Sequence, residues 1–319
     1  MMLDDQRPHL PEIQPLVAIL MCTYNGAAFL REQLQSIIDQ SYTNWFLIVS
    51  DDGSTDTTLH LLNEYSDLLG GRLVIRNGPR RGFAENFMSL VSDPGLNAEY
   101  FAFADQDDVW HPSKLMYSLQ ILQQRSSPEQ PAIYCGRCRI ISAEGEYLGL
   151  SPLFSRKPSF SNALVQSLAG ANTMLLNAKA RQLLMRLPQD ALVIAHDWLT
   201  YLLVTAYGGI VIYDAQPTLD YRQHSRNVIG ANTNILARAK RLGLLLKGRF
   251  RNWTQANLGI LDALRPPLSQ QDAQALQWFK QSHGAKGFKA LMTLHRSGVY
   301  RQTRLGQCSL LLAAFLGKI

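Results

Sequence analysis

The 319-residue sequence predicts an α/β fold built on a mostly parallel sheet, followed by a basic helical region. Short apolar runs alternate with amphipathic segments over the first two thirds of the chain, as strands and helices do. Polar and glycine residues follow the first four of these runs directly, at the strand ends where parallel sheets bind ligands. The alternation stops near residue 234, and leucine then mixes with lysine and arginine at helical spacing.

The first two predicted strands are continuous apolar runs. Residues 1–14 are polar, and we expect them to form a loose leader. Residues 16–21 and 45–49 are the two runs, and each is short enough for a buried strand. The segment between them is an amphipathic helix whose apolar face is formed by Phe29, Leu30, Leu34, Ile37 and Ile38.

Each early strand ends in a polar loop. The first loop reads Thr-Tyr-Asn-Gly at residues 23–26, and the second reads Ser-Asp-Asp-Gly-Ser-Thr-Asp at residues 50–56. A helix is expected over residues 57–69 and a third strand over residues 73–76. The loop at residues 77–82, Asn-Gly-Pro-Arg-Arg-Gly, then leads to a helix from about Phe83. These loops therefore meet at one edge of the predicted sheet.

The fourth strand ends in three carboxylates. Residues 100–104 are apolar, and Asp105, Asp107 and Asp108 follow them directly. Crowded carboxylates repel one another unless a cation lies among them, and Mg²⁺ or Mn²⁺ takes oxygen ligands together with substrate phosphates. One interpretation is a metal–diphosphate site. The other is an acidic turn that caps a helix starting at Pro112.

The remaining strands broaden the sheet. Residues 132–134 and 138–142 are predicted strands with a hairpin turn at Glu144-Gly145, and a further strand is expected from Gly170 to residue 176. Residues 151–162 are rich in serine and proline and are expected to form a loop over the site. The last strand, near residues 210–213, precedes a histidine- and arginine-rich segment at residues 221–227.

The small number of cysteines indicates a reducing compartment. Four cysteines are too few for a disulfide framework in a chain of this length. Cys135 and Cys138 are spaced as C-x-x-C, but residues 133–141 around them have the pattern of a strand, and no second pair of cysteines or histidines has zinc-ligand spacing. The N-terminus has no basic segment followed by an apolar one, so we expect no signal peptide. No run approaches the ~20 apolar residues that span a bilayer.

Charge is distributed unevenly along the chain. Residues 236–319 contain 14 Lys and Arg but only two acids, Asp262 and Asp272, whereas residues 1–235 carry a net charge of −6. A basic helical region with leucine and aromatic residues is typical of proteins that lie on a membrane surface. The alternative is a helical subdomain with a solvated basic face. We expect no nucleic-acid partner, because the sequence contains no nucleic-acid-binding motif.

Three segments together resemble one enzyme family. They are VAILMCTYNG at residues 17–26, IVSDDGSTD at residues 48–56 and FADQDDVW at residues 103–110. In this order and spacing they are similar to family 2 glycosyltransferases of the GT-A fold. GANTMLLN, HDW and YRQHSRN continue the resemblance, which covers residues 15–235 and extends to bacterial rhamnosyltransferases of surface-polysaccharide synthesis.

The resemblance implies a nucleotide-sugar donor, a dTDP- or UDP-sugar. Thr23, Tyr24 and Asn25 would contact the nucleoside, and Asp52 would accept a hydrogen bond from the imide N–H of uracil or thymine. Two further residues are expected near the donor: Arg81, at the base or the phosphates, and Gln106, which orients its turn or touches the donor.

The resemblance also implies a divalent cation, Mg²⁺ or Mn²⁺, at the diphosphate. Asp107 would ligate the cation, Asp105 would lie near the ribose or the cation, and His224 is a further candidate ligand. Arg222 and Arg226 are candidates for a bidentate contact with the diphosphate.

Asp197 is the expected catalytic base, by the same resemblance. A base near the acceptor hydroxyl would give in-line displacement with inversion. The alternative is that Asp197 only stabilises the start of the helix that follows. His196 is expected to orient Asp197, and Trp198 to stack on a sugar or pack in the core. The acceptor and donor sugar would lie near Gly170, Ala171 and Asn172.

The expected domains are the leader, a catalytic domain at residues 15–235 and a basic helical region at residues 236–319. The expected reaction moves L-rhamnose from dTDP-L-rhamnose to a lipid-linked or growing surface glycan, with acceptors commonly carried on polyprenyl diphosphate. The enzyme would be cytoplasmic and peripheral on the inner face of the cell membrane. The alternatives are a UDP-hexose donor (glucose, galactose or N-acetylglucosamine), a non-catalytic sugar-nucleotide- or glycan-binding subunit, and a nucleotide-sugar hydrolase.

Overall fold

A computed structural model of the chain describes residues 14–224 and 249–319. Its strands are β1 (Val17–Thr23), β2 (Trp45–Asp51), β3 (Leu73–Asn77), β4 (Tyr100–Ala104), β5 (Val109–Trp110), β6 (Ala132–Gly136), β7 (Arg139–Ile141), β8 (Tyr147–Leu150), β9 (Leu175–Asn177), β10 (Ile210–Asp214) and β11 (Leu219–Arg222). Its helices are α1 (Ala27–Ile38), α2 (Thr58–Leu69), α3 (Phe83–Val91), α4 (Lys114–Arg125), α5 (Phe160–Ala163), α6 (Ala178–Leu184), α7 (His196–Ala206), α8 (Arg249–Leu264), α9 (Gln270–His283), α10 (Gly287–Arg296) and α11 (Arg304–Phe315).

A seven-stranded sheet forms the centre, in the order β10-β6-β9-β4-β1-β2-β3. Every pairing is parallel except those of β9, which runs antiparallel to β4 and β6. Thr23 pairs with Asp51, and Asp51 with Asn77, so the strands end level with one another. The loops that follow β1, β2 and β3 therefore start side by side, which confirms the predicted α/β fold with a mostly parallel sheet.

A second, four-stranded sheet lies beside the acidic turn, in the order β5-β11-β7-β8. Its strand β5 begins at Val109, directly after Asp108, and pairs antiparallel with β11. This pairing brings the end of β11 next to the three carboxylates that follow β4. Gly145, in the predicted hairpin turn between β7 and β8, has a φ of 90°, which glycine adopts without steric cost.

Two local predictions are wrong in detail. Helix α4 begins at Lys114 with Ser113 as its N-cap residue, because Pro112 lies in a turn before it. The strand expected from Gly170 begins only at Leu175, since a 3₁₀ turn over Ala171–Thr173 comes first. The four cysteines are free thiols.

The C-terminal helices share a hydrophobic core with the sheet. One face of the sheet packs on α3 and α7, and the same cluster of buried side chains includes Phe250 of α8 and Phe279 of α9. Trp198 of α7 stacks on Phe250, with ring centroids 6.2 Å apart. The expected boundary at residue 235 and the leader's residues 1–13 lie outside the described residues. In the ranges that the structure describes, no helix is long and apolar enough to cross a bilayer.

We expect Phe279→Ala to lower the free energy of unfolding of the whole chain by about 3–5 kcal/mol, because it leaves a cavity in the shared core. Calorimetry should show one cooperative transition at a lower Tm. The matched control is Phe288→Ala, since Phe288 is 82% exposed, and its effect should stay within about 0.5 kcal/mol. If Phe279→Ala gave two separate unfolding transitions and lowered the Tm of only one of them, the shared core would be contradicted.

Candidate active site

The loops after β1 and β2 hold each other through side chains. Asn25, whose φ is 48°, donates its backbone N–H to Ser54 Oγ over 2.8 Å. The N–H of Thr55 donates to Asn25 Oδ1 over 2.8 Å, and the N–H of Gly26 donates to Thr58 Oγ1 over 2.9 Å. Asparagine tolerates the left-handed region better than most residues, so Asn25 fits the turn as well as the contacts.

The two adjacent aspartates after β2 have different surroundings. Asp51 is 3% exposed and accepts hydrogen bonds from Thr23 Oγ1 and the N–H of Ser54, both over 2.8 Å. Asp52 lines the cavity and accepts from the N–H of Arg80 over 2.5 Å and of Gly82 over 2.8 Å. Each carboxylate oxygen has two lone pairs, so Asp52 keeps acceptor capacity for a ligand.

Arg80, and not the expected Arg81, lines the cavity. Arg80 has a φ of 58°, and its side chain crosses Gly53, where an added Cβ would lie 3.0 Å from Arg80 Nε. Arg81 is exposed and is absent from the cavity wall. The sequence Pro-Arg-Arg-Gly contains no signal that distinguishes the two arginines, because the choice depends on the backbone turn.

Gln106 closes over the first loop. Its Oε1 accepts from the N–H of Tyr24 over 2.9 Å, and its Nε2 donates to the carbonyl of Tyr24 over 3.1 Å. A Cβ at Gly26 would lie only 2.1 Å from Gln106 Oε1, so this approach requires glycine. The turn-orienting role expected for Gln106 agrees with this geometry, and the exposed ring of Tyr24 lies at the cavity wall.

The acidic turn and the end of β11 form one cluster. Asp107 Oδ2 lies 2.7 Å from His224 Nε2, and the two side chains are only 15% and 11% exposed. The imidazole of His224 also packs on Phe29, with ring centroids 4.8 Å apart. Burial, followed by the charges of Asp107 and Asp197, raises the pKa of Asp105 to about 7. Two residues that are far apart in sequence, Asp107 and His224, thus meet in the cavity.

Asp108 is a buried structural residue rather than a helix cap. It is 0% exposed, and its carboxylate accepts from Asn172 Nδ2 over 2.5 Å and from the N–H of Arg222 over 3.3 Å. Burial, with the charges of Asp105 and Asp107, raises its pKa well above the ordinary value. The N-cap residue of α4 is Ser113, so the capping interpretation of the acidic turn is wrong for Asp108.

Arg222 does not face the diphosphate position that we expected. It is 2% exposed and absent from the cavity wall. Its guanidinium donates to the carbonyls of Asp107 over 3.1 Å and Ala143 over 2.9 Å and forms an ion pair with Glu32. Arg222 is therefore a support beneath the acidic turn. Arg226 lies outside the described residues.

The residues present fit a divalent cation that is shared with a ligand. Asp107 Oδ2 and His224 Nε2 are hydrogen-bonded over 2.7 Å, and neighbouring ligands about 2.1 Å from an octahedral cation lie about 3 Å apart, so the two atoms would become ligands of one cation once the shared proton is lost. Within residues 14–224 and 249–319, no group of three or more His, Cys, Asp or Glu is arranged to hold a metal alone. Such a donor set suits Mg²⁺ or Mn²⁺, which fills its remaining positions with water and phosphate oxygens.

Asp197 opens into the same cavity from the start of α7. Its Oδ2 accepts from Ser167 Oγ over 3.2 Å, and its Oδ1 accepts from the N–H of Trp198 over 2.7 Å. Burial raises the pKa of Asp197 from 3.8 to about 6. At neutral pH this carboxylate is ionised, yet it is a stronger base than an exposed aspartate, which suits proton abstraction.

His196 has no hydrogen bond to Asp197, so the expected orienting role is not seen. Among the described residues neither of its ring nitrogens has a hydrogen-bond partner. The ring stacks on Phe87 at 4.0 Å and meets the edge of Phe103 at 5.0 Å between centroids. Burial lowers the pKa of His196 to about 3, so the imidazole is neutral. His196 does line the cavity.

Trp198 packs in the core, which was one of its two expected roles. Its indole N–H donates to the carbonyl of Ala163 over 2.6 Å, and its ring lies between Phe250 and Trp253. It is 5% exposed and absent from the cavity wall, so stacking on a sugar is wrong. Trp198 is buried together with the residues that follow it in α7, from Leu199 to Val204.

Gly170, Ala171 and Asn172 line the cavity beside the acidic turn. Asn172 reaches Asp108, and a Cβ at Gly170 would lie 2.7 Å from Asn172 Oδ1. The cavity, of about 1490 Å³, is lined by the loops after β1 and β2, the acidic turn, His224, Asp197 and this segment. Most of the predicted site residues therefore come together. The exceptions are Arg81, Trp198 and Arg222, and Arg226 lies outside the described residues.

The C-terminal region holds the loop that carries Ser167, a contact that sequence analysis missed. The N–H of Gln302 donates to Gln166 Oε1 over 2.9 Å, and Arg301 Nε donates to the carbonyl of Val165 over 3.1 Å. Asn162 Nδ2 donates to the carbonyl of Tyr300 over 2.8 Å. No motif marks these residues, since the contacts join positions more than 130 residues apart. We refer to residues 300–302 as the C-terminal clamp.

Comparison with known proteins now assigns the chain to a family. Residues 18–174 match the model of glycosyl transferase family 2. The chain is also 30% identical to the dTDP-rhamnosyl transferase RfbG of Shigella flexneri, over 72% of this chain and 81% of that protein. The chain belongs to family 2. It is a glycosyltransferase, and a nucleotide sugar is its donor.

Other relatives of this family 2 enzyme are similar over shorter stretches or in fold. An uncharacterized glycosyltransferase of Haemophilus influenzae is 41% identical over 31% of this chain and 30% of its own length. Staphylococcus aureus TarS residues 1–349 and a mannosyltransferase of Pyrobaculum calidifontis each superpose with a TM-score of 0.52 at 14% and 16% identity. Each superposition covers 95% of this chain, and it covers 88% of the TarS chain and 86% of the mannosyltransferase chain. Both confirm the GT-A fold.

We expect Asp197→Asn to raise the Tm relative to wild type at pH 8 and to raise it by a smaller amount at pH 5. The raised pKa means that the folded state favours the protonated carboxyl, so the stability that Asp197 contributes is lost as pH rises from 3.8 to about 6, and only part of it is lost at pH 5. Asparagine never ionises, and the gain at pH 8 should be about 1–3 kcal/mol. The measurement is Tm from pH 5 to pH 8.

The control is Asp190→Asn, at an exposed carboxylate shortly before α7. Its Tm should follow that of wild type over the whole pH range. A difference between Asp197→Asn and wild type that does not grow with pH would contradict the buried, charged carboxylate.

Proposed function

We propose that this family 2 enzyme transfers L-rhamnose from dTDP-L-rhamnose to a hydroxyl of a lipid-linked or growing surface polysaccharide, with inversion and with a divalent cation. One observation supports the proposal: Asp197, the candidate base, lines the same cavity as Asp107 and His224, the candidate cation ligands. The choice of rhamnose is supported by the similarity to the Shigella flexneri protein, whose name gives a dTDP-rhamnosyl transferase.

The donor nucleoside would lie on the interlocked loops after β1 and β2. Thr23, Tyr24 and Asn25 form the wall on one side, and the remaining lone pairs of Asp52 would accept the imide N–H of the base. Arg80, rather than Arg81, is the guanidinium placed for a base or phosphate contact. Uracil and thymine share the imide, so Asp52 alone does not select between dTDP and UDP.

Asp107 and His224 would hold the divalent cation, with Asp105 beside them. When bound there, the cation supplies Lewis-acid neutralisation of the charge on the departing diphosphate. The protein's own part is to keep Asp107 and His224 oriented: Arg222 fixes the Asp107 backbone, and Phe29 supports the imidazole of His224.

Asp197 would take the proton of the acceptor hydroxyl. As the oxygen–anomeric carbon bond forms, the bond from that carbon to the diphosphate oxygen breaks on the opposite side, so the configuration inverts. Ser167 donates to one oxygen of Asp197 and keeps it aimed, while Gly170 and Asn172 would border the sugars. A β-linked dTDP-L-rhamnose would thus yield an α-rhamnoside.

A second donor class has some support of its own. One neighbour in fold, Staphylococcus aureus TarS, is described in complex with UDP-GlcNAc, with a TM-score of 0.52 and 15% identity. The same cavity could accept a UDP-hexose such as glucose, galactose or N-acetylglucosamine. A purely binding role is disfavoured, because binding alone gives no reason to bury Asp197 with a pKa of about 6.

The acceptor would be carried on a polyprenyl diphosphate lipid, and the enzyme would act in the cytoplasm at the inner face of the membrane. The support is the charge of the C-terminal region, where residues 236–319 have 14 basic residues and two acids. Residues 236–248 of that region lie outside the described part of the chain.

The donor is identified by a thermal-shift panel of dTDP-rhamnose, UDP-glucose, UDP-galactose and UDP-N-acetylglucosamine, each with Mn²⁺, Mg²⁺ or EDTA. We expect dTDP-rhamnose with a divalent cation to stabilise the protein by about 2–3 kcal/mol at a hundred times its Kd. Asp107→Asn should lose the cation-dependent part of the shift, and the exposed control Asp67→Asn should keep it. If only a UDP-sugar shifts the Tm, rhamnose is not the donor sugar. If the Tm shift is the same with EDTA as with Mn²⁺ or Mg²⁺, donor binding does not need a divalent cation.

The base is tested by transfer in the Asp197→Asn variant. We expect transfer to fall by about 10²- to 10⁴-fold, because a general base is removed, while the thermal shift with the donor is retained. Transfer is measured with purified lipid-linked acceptor. Equal transfer by wild type and variant would reject Asp197 as base, no transfer by wild type would favour a binding subunit, and free sugar formed without acceptor would favour a hydrolase.

A further inference from the structure

The last helix is apolar on its outward face as well as its inward face. Inward, Leu310, Ala313 and Ala314 of α11 are fully buried. Outward, Leu312 and Phe315 are 44% and 43% exposed. Residues 305–317 contain no charged side chain. A helix that is apolar on both faces is normally buried on both faces. Among the described residues, none buries the outward face of α11.

The neighbouring helix extends this surface. Phe288 of α10 is 82% exposed and Met292, one turn later, is 49% exposed. The rings of Phe288 and Phe315 meet edge to face with centroids 5.8 Å apart, so the two helices present one continuous surface. We call this surface the apolar patch, and its members are Phe288, Met292, Leu311, Leu312, Phe315 and Leu316.

The charges around the apolar patch have one sign. Asp272 is the last acidic residue of the sequence, and residues 273–319 contain seven lysines and arginines with no aspartate or glutamate. Lys289 follows Phe288 in sequence, Arg304 is the first residue of α11, and Lys318 follows the end of α11. All three side chains are exposed. The charged side chains that residues 273–319 bring to this part of the surface are therefore all positive.

We infer that the apolar patch docks on an anionic lipid bilayer, with α10 and α11 lying in the interface. Apolar side chains enter the boundary between headgroups and acyl chains, and lysine and arginine at the rim attract anionic headgroups. A second copy of the chain would match the apolar part but would bring the same positive charges together. The 12 residues of α11 are too few to span, so the helix lies along the surface.

The inference goes beyond the proposed transfer and needs no turnover to be tested. It specifies which side chains meet the lipid, whereas the proposed function only requires an acceptor near a membrane. If the protein does not bind vesicles, the results of the donor and base experiments still test the proposed transfer. If those experiments contradict the proposed transfer, vesicle binding still tests the inference.

The experiment is flotation of the full-length protein with two kinds of vesicle, pure phosphatidylcholine and phosphatidylcholine with 30% phosphatidylglycerol, taken as about a third anionic lipid. We expect binding to the anionic vesicles that weakens with salt. Phe288→Glu combined with Phe315→Glu should weaken it at least tenfold. The matched control is Leu68→Glu on α2, where Leu68 is 72% exposed, and it should bind as wild type does.

A second pair of variants separates charge from apolar contact. Lys289→Gln combined with Lys318→Gln should weaken binding to anionic vesicles by about tenfold, because each lysine near the surface adds attraction. Binding to pure phosphatidylcholine should not change between this variant and wild type.

Three results would overturn the inference. The first is no flotation of wild type, or equal flotation of the glutamate variant. The second is a wild-type dimer in light scattering that the glutamate pair dissociates, since the cover is then a second copy. The third is a fall of several degrees in Tm for the glutamate pair without lipid, since the patch is then covered by the chain itself.

Discussion

The contact on which the site depends is the one between Arg222 and the acidic turn. Three aspartates within four residues repel one another, and the buried guanidinium of Arg222 holds their backbone by donating to the carbonyl of Asp107. Its own N–H donates to Asp108, and Glu32 balances its charge. A buried guanidinium is stable only when its donors are paired, so the turn, β11 and α1 are fixed relative to one another. Asp107 is then free to face His224.

The same few residues show what sequence could and could not predict. The strand ends were predictable because apolar runs of five to seven residues end in polar loops, and parallel pairing brings those loops to one edge. Arg222 and His224 are two positions apart in one motif, yet one lies beneath the turn and the other in the cavity. The strand β11 ends between them, and no pattern in the sequence marks where a strand stops to within one residue.

The roles of the side chains beside Asp197 were predicted less well, because they depend on contacts with distant segments. His196 and Trp198 flank the candidate base, and their aromatic character suits a sugar as well as a core. The residues around each ring determine which of these two roles it has. His196 lies among Phe83, Phe87 and Phe103, and Trp198 stacks on Phe250 of α8. Both sets of partners come from distant segments. Arg80 was missed because its place in the cavity follows from a positive φ and not from residue type.

The C-terminal clamp has a consequence for how the protein is made. The loops that would receive the donor are complete once residue 107 has been synthesised, apart from His224, and Asp197 follows about ninety residues later. The loop that carries Ser167 gains its contacts with Tyr300, Arg301 and Gln302 only after residue 302 has been synthesised. A nascent chain that ends before residue 300 therefore carries Asp197 without the contacts that hold the Ser167 loop beside it.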